Sequence, residues 1–145
     1  MTAKTLFLST LAGASVLASA AFAGDVTVTL TGVQARGGTM LVALQSREQF
    51  MQHAGTAGTM QANPAAGVLT VTLRNVPAGD YALTALHDAD GNRQMRLDAQ
   101  GRPAEGWAMS RVGADLNHRP TFDEVRVHVP AEGAAITAPV VYPAG

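Results

Sequence analysis

The sequence predicts an all-β fold, an antiparallel β-sandwich, and three observations support this. Short segments alternate apolar and polar residues with period two, and in the first of them Val26, Val28 and Leu30 are separated by threonines. Clusters containing glycine and proline separate these segments at hairpin-like intervals. No part of the chain has the spacing of a strand–helix–strand unit, which argues against a parallel α/β sheet.

The period-two segments predict six strands in order along the chain. They are expected at residues 25–31, 40–44, 67–74, 80–87, 122–129 and 136–142. A turn cluster at 34–38 indicates that the first two strands form a hairpin. Pro77 and Gly79 supply the turn between the third and fourth strands. Pro139 cannot donate a backbone hydrogen bond, so the last strand is expected at a sheet edge.

Three segments between the predicted strands lack the period-two pattern and are expected to form a helical turn and two loops. Ser46 and Gln49 have capping-box spacing, which predicts a short helical turn with Phe50 on its apolar side. Residues 53–64 are rich in glycine, alanine and threonine and are expected to form a mobile loop. Residues 88–119, called the long loop below, have strong turn signals and few β-branched residues. Long connections in compact domains tend to carry function.

The first 23 residues have the pattern of a secretory signal peptide. Lys4 gives a positive start, residues 6–20 are apolar, and Ala21-Phe22-Ala23 is a small-x-small cleavage pattern. The apolar segment is too short to span a bilayer comfortably. We therefore expect a signal peptide over 1–23 and a single β-sandwich domain over 24–145, periplasmic or secreted, with no membrane span after cleavage.

The composition of the mature chain excludes several classes of function. Cleavage removes Lys4, the only lysine, and leaves nine arginines against eleven carboxylates. A chain with this balance has no basic patch for a phosphate backbone, so nucleic acid is not an expected partner. The absence of cysteine excludes disulfides and thiol chemistry.

The start of the long loop is a candidate calcium site. Side-chain oxygens recur at alternate positions around Gly91, and the candidate ligands are Asp88, Asp90, Asn92 and Asp98. The loop is not an EF-hand, because Arg93 stands where glycine is needed and Ala99 stands where glutamate is needed. The alternative is that these side chains form Asx-turns and surface ion pairs.

Trp107 and its neighbours are the other candidate site in the long loop. An indole in a loop can stack on a sugar or a peptide group, with Glu105, Arg102 and Arg111 as polar contacts. The alternative, which we favour from sequence, is that Trp107 plugs one end of the sandwich and orders the loop.

Catalytic constellations are difficult to assemble from this sequence. The candidate is a metal-assisted hydrolase that uses His87, Asp88 and Glu105. However, His87 and Asp88 are adjacent on a predicted strand, where neighbouring side chains point to opposite faces. We therefore expect no enzyme, with His87 as a buried or loop-anchoring hydrogen-bond donor.

Several motifs resemble one known family of small exported bacterial proteins. They are His87-Asp88, the Asp-Gly-Asn of residues 90–92, Leu97-Asp98, the segment 101–110 with its Glu-Gly-Trp, and the segment 119–123. This signature resembles that of the family named domain of unknown function 2141. The sequence departs from it at Arg93, where an asparagine-glycine step is lost, and in a short insertion within 93–96.

The resemblance implies an immunoglobulin-like or transthyretin-like sandwich and supplies no established activity. Together with the motifs described above, the resemblance predicts an exported, non-enzymatic module. Its expected partner is a protein, an envelope component or a glycan, bound through the long loop. Calcium is the only cofactor expected, as a weak ligand.

Overall fold

The computed structural model describes residues 22–144, which form a sandwich of two β-sheets with one short helix. Most of the predicted signal peptide, residues 1–21, lies outside this range. The elements are β1 (Ala23–Val33), β2 (Thr39–Gln45), β3 (Ala57–Ala62), β4 (Gly67–Pro77), β5 (Gly79–Asp88), β6 (Gly106–Met109), α1 (Phe122–Val125), β7 (Arg126–Val129) and β8 (Ala134–Pro139). The predicted all-β sandwich is therefore confirmed. Within the described range no helix has the length and hydrophobicity needed to cross a membrane.

The smaller sheet has the order β4-β1-β8, and its strands pack Val26, Val28 and Leu30 completely into the core. β1 pairs antiparallel with β4 but parallel with β8, so the sandwich is not wholly antiparallel as predicted. Pro139 lies in β8 at the edge of this sheet, which confirms its predicted place.

The predicted hairpin between the first two strands is wrong, because β1 and β2 lie in different sheets. The glycines of the turn cluster, Gly37 and Gly38, have positive φ angles of 69° and 64°. They carry the chain from one sheet across to the other. The turn residues indicated correctly that the chain changes direction, but they contain no information on which strand becomes the partner.

The larger sheet has the order β3-β2-β5-β6, with β7 also paired to β5. β7 pairs with Gly79–Ala82 and β6 pairs with Thr84–His87, so these two strands follow one another along the same edge of β5. This arrangement corrects two predictions. β3 lies within the expected mobile loop 53–64, and β6 lies within the long loop. Both strands are short, and backbone pairing to a neighbouring strand compensates for their weak local patterns.

The helix occurs at a different place from the one predicted. Residues 122–129, expected as a single strand, form α1 and then β7. The Thr121 N–H donates to Oε2 of Glu124 at 2.6 Å, which stabilises the start of α1. At Ser46 the N–H donates to Oε1 of Gln49 at 3.0 Å, but this segment forms only turns.

Two apolar clusters hold the sandwich together. The larger lies between the sheets and is built mainly from valine and leucine. The smaller lies on the outer face of the larger sheet, where Phe122 and Val125 of α1 pack on Ala82, with Phe50 against them. α1 therefore covers one end of this outer face.

Candidate functional site

His87 lies at the end of β5 with its side chain in the core, 1% exposed. Nε2 lies 2.7 Å from the carbonyl oxygen of Gly37, and Nδ1 lies 2.7 Å from the Tyr142 hydroxyl. Because the carbonyl can only accept, Nε2 carries the proton and Nδ1 accepts from Tyr142. His87 is therefore a buried anchor, as the sequence predicts.

Asp88 follows His87 and lies opposite Glu105 at the end of the β5–β6 ladder. His87 pairs with Gly106, and continuing this antiparallel register by one residue brings Asp88 opposite Glu105. Both carboxyl groups are buried, with the residues 1% and 3% exposed. β6 was not predicted, so sequence reasoning could not place these two residues together.

The Asp88 carboxylate holds the first turn of the long loop. Oδ1 accepts the Gly91 N–H and Oδ2 accepts the Arg93 N–H, each at 2.9 Å. Burial disfavours the charged form and raises the pKa of Asp88, but the N–H groups of Arg93 and Gly91, together with the Asp90 side chain and the Asn92 N–H, hold this pKa below its ordinary value. Arg93 has a left-handed backbone, φ 59°, and its bond to Asp88 stabilises that conformation.

The Glu105 carboxylate holds both ends of the same turn. Oε1 accepts the Ala89 N–H at 3.0 Å, and Oε2 accepts the Arg96 N–H at 3.1 Å. All four oxygens of the two buried carboxylates thus accept backbone hydrogen bonds. Asp88 and Glu105 together fix the path of residues 89–96.

The structure assembles only part of the predicted calcium ligand set. Ligand oxygens of Asp88, Asp90 and Glu105 lie within 4.8 Å of one another. This carboxylate cluster is one that hard cations prefer. Asp98 is not part of it, and Oδ1 of Asn92 accepts the Gln94 N–H at 2.8 Å. Calcium binding at the carboxylate cluster stays a prediction.

Asp98 organises a separate turn. Its Oδ1 accepts the N–H groups of Gln100 and Arg102 at 2.9 Å, and its Oδ2 lies 2.8 Å from Nε of Arg102. The Arg102 backbone N–H, with further help from its side chain, lowers the pKa of Asp98. Asp98 and Arg102, predicted for two different sites, in fact pair with each other.

The candidate binding residues around Trp107 are not brought together in one loop. Trp107 lies in β6, where its backbone exchanges hydrogen bonds of 2.9 and 2.7 Å with Val141. These bonds join the larger sheet to the segment that follows β8. Glu105 is buried, and Arg111 donates to the Arg126 carbonyl oxygen at 3.2 Å. The indole is half-buried, so Trp107 is neither a fully buried plug nor a free platform.

Four apolar side chains form a line across the outer face of the larger sheet. Met60 of β3 pairs with Leu41 of β2, Leu41 with Leu86 of β5, and Leu86 with Trp107 of β6. Paired residues project to the same face, and this is the face opposite the core. We call these four residues the apolar row. Met60 is 58% exposed, and the other three are half-buried.

A sequence signal for the apolar row exists in the second strand. Residues 40–44 are apolar without interruption, whereas a strand with one solvated face alternates. Leu41 and Ala43 both break the alternation, and Leu41 is the larger of the two. A strand that is apolar on both sides indicates that its outer face also meets an apolar surface.

A groove of about 420 Å³ lies between the apolar row and the first turn of the long loop. Its lining residues are Thr39, Leu41, Met60, Ala62, Asp88, Gly91 and Arg93. The side chains of β2 and β3 form the apolar floor. Arg93 is exposed, and no ion pair engages its guanidinium among residues 22–144. The groove therefore combines an apolar floor with one free positive charge.

A second cavity, of about 360 Å³, lies where the long loop meets α1. It is lined by Arg111, Val112, Asp115, Leu116, Asn117, His118 and Glu124. Nε2 of His118 lies 2.7 Å from Oε1 of Glu124. The Thr121 backbone N–H and His118 lower the pKa of Glu124 to about 2. These contacts brace the start of α1.

Comparison with known proteins returns one family. The model of the family described as an uncharacterized protein conserved in bacteria, DUF2141, matches residues 28–137. The match runs from the middle of β1 into β8 and includes the carboxylate cluster and the groove. No curated protein and no solved structure matches the chain.

Proposed function

This chain belongs to the bacterial family DUF2141, and on that premise we propose that it is an exported, non-enzymatic binding module. The proposed site is the groove between the apolar row and the first turn of the long loop. The proposed partner is a protein segment or an envelope component that presents an apolar chain beside an anionic group.

The uncovered apolar row is the observation that carries the proposal. α1 covers the Ala82 end of the outer sheet face, but Leu41 and Met60 remain on the surface. Solvent-exposed apolar side chains that adjoin one another and are bordered by polar groups mark interaction sites. Burial of these side chains by a partner releases water from apolar surface and favours binding.

Arg93 supports an anionic group on the partner. Its backbone is fixed by the N–H bond to Asp88, so the side chain starts from a defined position at the groove wall. The Asp88 carboxylate, which accepts the Arg93 backbone N–H, makes no ion pair with the Arg93 guanidinium. A partner carboxylate or phosphate would find an unpaired guanidinium there.

The candidate catalytic groups are all hydrogen bonded within the fold, which favours a binding role over hydrolysis. His87 points into the core with both ring nitrogens hydrogen bonded. Asp88 and Glu105 use every carboxylate oxygen to hold the loop. A general base needs a lone pair directed at its substrate, whereas His87 and every oxygen of the two buried carboxylates already direct a lone pair at a donor within the fold.

Calcium enters the proposal only as a weak ligand of the carboxylate cluster. Asp90 is the exposed member of the cluster, and all three carboxylates already accept backbone N–H donors, Asp90 from Asn92 at 3.1 Å. Affinities of 10⁻⁴ to 10⁻³ M are typical of extracellular calcium modules, and we propose an affinity of about that order here. Bound calcium would stabilise the turn that forms the groove wall.

The groove proposal is tested with decanoate below its micelle concentration, using Trp107, the only tryptophan, as the reporter. Trp107 does not line the groove but lies in the same apolar row, next to Leu86, so a decanoate chain that extends from the groove along the row should change its emission with saturation. Arg93→Gln should weaken decanoate binding by about threefold or more, as expected for loss of a partly exposed ion pair. Leu41→Thr should weaken it by removing the apolar floor.

Matched controls separate specific binding from surfactant effects. Arg119→Gln removes an exposed arginine from outside the groove and should leave decanoate binding unchanged. Decyltrimethylammonium has the same chain and the opposite charge, so it should bind more weakly. Equal binding of the two amphiphiles, or no saturable change with decanoate, would contradict the proposed groove.

Export is tested by intact-mass measurement on protein from the cell envelope fraction. Cleavage after Ala23 should give a chain that begins at Gly24. A chain that retains residues 1–23 would contradict the proposed localisation.

A further inference from the structure

Most free edges of the two sheets carry features that discourage pairing with another strand. β8 carries Pro139, and β4 carries Arg74 and irregularities in its register with β1. β6 is four residues long and is bonded to Val141, and β7 exposes Arg126. Charges, proline, bulges and short length all discourage edge-to-edge association.

β3 has none of these protections. It is the end strand of the larger sheet, and its sequence, Ala-Gly-Thr-Met-Gln-Ala, contains no charged residue and no proline. Met60, in its middle, is one of the most exposed large apolar residues in the described part of the chain. β3 is therefore the edge best suited to accept another strand.

The register of β3 shows which backbone groups are available. The Asn63 N–H donates to the Gly38 carbonyl oxygen at 2.8 Å. Gly38 and Asn63 are opposite each other in the same register that pairs Leu41 with Met60, so they form a hydrogen-bonded pair. Hydrogen-bonded positions alternate along an antiparallel pair. The N–H and C=O groups of Gly58, Met60 and Ala62 consequently point away from β2, toward the free edge. Of these, the Ala62 carbonyl oxygen accepts a hydrogen bond from the exposed Gln61 side-chain amide at 3.1 Å, which a pairing strand would replace.

We infer that two copies of this chain associate through β3, which pairs antiparallel with the β3 strand of a second copy about a two-fold axis at Met60. In this arrangement Met60 lies opposite Met60 of the partner subunit. Gly58 lies opposite Ala62 of the partner subunit, and the reverse pair completes the ladder. The three outward-facing residues of each strand become hydrogen bonded.

Self-complementarity favours a second copy over another extended chain. Any charge on β3 would face a like charge near the two-fold axis, and β3 has none. Small residues, glycine and alanine, lie opposite each other on both sides of the axis. The pairing also continues the apolar row from Met60 directly into the row of the second subunit, covering the most exposed residue of the row.

A cysteine at position 60 tests the geometry, because the chain contains no other cysteine. Hydrogen-bonded antiparallel pairs have Cα atoms about 5.5 Å apart, which is within the range that a disulfide spans. Met60→Cys should form a covalent dimer under mild oxidation. Leu97→Cys is the matched control, since Leu97 is 56% exposed against 58% for Met60, and it should stay largely monomeric.

Sedimentation equilibrium tests the association in the absence of any cross-link. The full-length mature chain should show a monomer–dimer equilibrium, and Met60→Lys should weaken it at least tenfold by placing two ammonium groups at the axis. Leu97→Lys should leave it unchanged. Circular dichroism and thermal melting establish that Met60→Lys is folded.

Three results would overturn the inference. The first is a wild-type chain that stays monomeric at millimolar concentration, and the second is a dimer that Met60→Lys and Leu97→Lys weaken equally. Covalent dimerisation of Leu97→Cys as fast as that of Met60→Cys would also contradict it, because random collision would then explain the cross-link.

Discussion

The Tyr142 hydroxyl donates a hydrogen bond to Nδ1 of His87 and accepts one from the Gln34 N–H, at 2.7 and 3.0 Å. Three distant parts of the chain therefore meet at one phenol: the β1–β2 connection, the end of β5 and the segment after β8. Gly106 makes this possible, because a Cβ at that position would overlap the Tyr142 ring. The end of β5, from which the long loop starts, is positioned by these contacts.

Tyr142→Phe should destabilise the fold by about 1–3 kcal/mol, because it leaves the buried Nδ1 of His87 without a donor. The ring remains, so its packing and the stacked Arg36, 4.7 Å above it, are kept. Urea unfolding measures the loss. Tyr81→Phe removes a hydrogen bond to the Pro77 carbonyl oxygen but leaves no imidazole unpaired, and it should cost less.

Glu105→Gln should loosen the first turn of the long loop. An amide presents one acceptor where the carboxylate presents two, so the N–H of Ala89 or of Arg96 loses its partner. Trypsin should then cleave after Arg93 and Arg96 more quickly. The exposed Glu132→Gln serves as the control, and equal cleavage rates in the two variants would show that Glu105 does not hold the turn.

Calcium should raise the melting temperature only at high concentration, and the effect should depend on Asp90. At tenfold above the dissociation constant, mass action adds about 1.4 kcal/mol. Asp90→Asn should abolish this stabilisation, whereas Asp98→Asn should preserve it, since Asp98 pairs with Arg102 outside the carboxylate cluster. A melting temperature independent of calcium would leave the three carboxylates as turn-forming groups alone.

The low pKa of Glu124 should make the free energy of unfolding decrease as the pH falls below 4.5. Its folded pKa of about 2 is below the ordinary 4.5. The stabilisation is complete above pH 4.5 and is lost as the pH falls from there toward 2. Glu124→Gln should be less stable than the wild type at pH 7, and the difference should shrink between pH 4.5 and 3. Urea midpoints across this range test the sign, and a constant difference would contradict it.

The sequence by itself determined where most strands lie and which of their faces is buried. The alternation at Val26, Val28 and Leu30 requires one apolar face, because a one-residue shift would expose the whole set. The family resemblance of the motifs from His87 to Asp123 is also confirmed, since the family model matches residues 28–137. The sequence further placed His87 as a buried anchor at a strand end.

Only the tertiary structure decided which strands are partners and which side chains meet. β3 and β6 have weak local patterns and exist because β2 and β5 offer them backbone hydrogen bonds. The sequence does not predict β6, so it cannot place Glu105 opposite Asp88. From sequence, Asp98 is therefore chosen as a calcium ligand and Glu105 is not. The physical reason is that period-two alternation reports burial, which is local in sequence. Strand pairing is a contact between distant backbones that every residue except proline can make, so the side chains do not encode it locally.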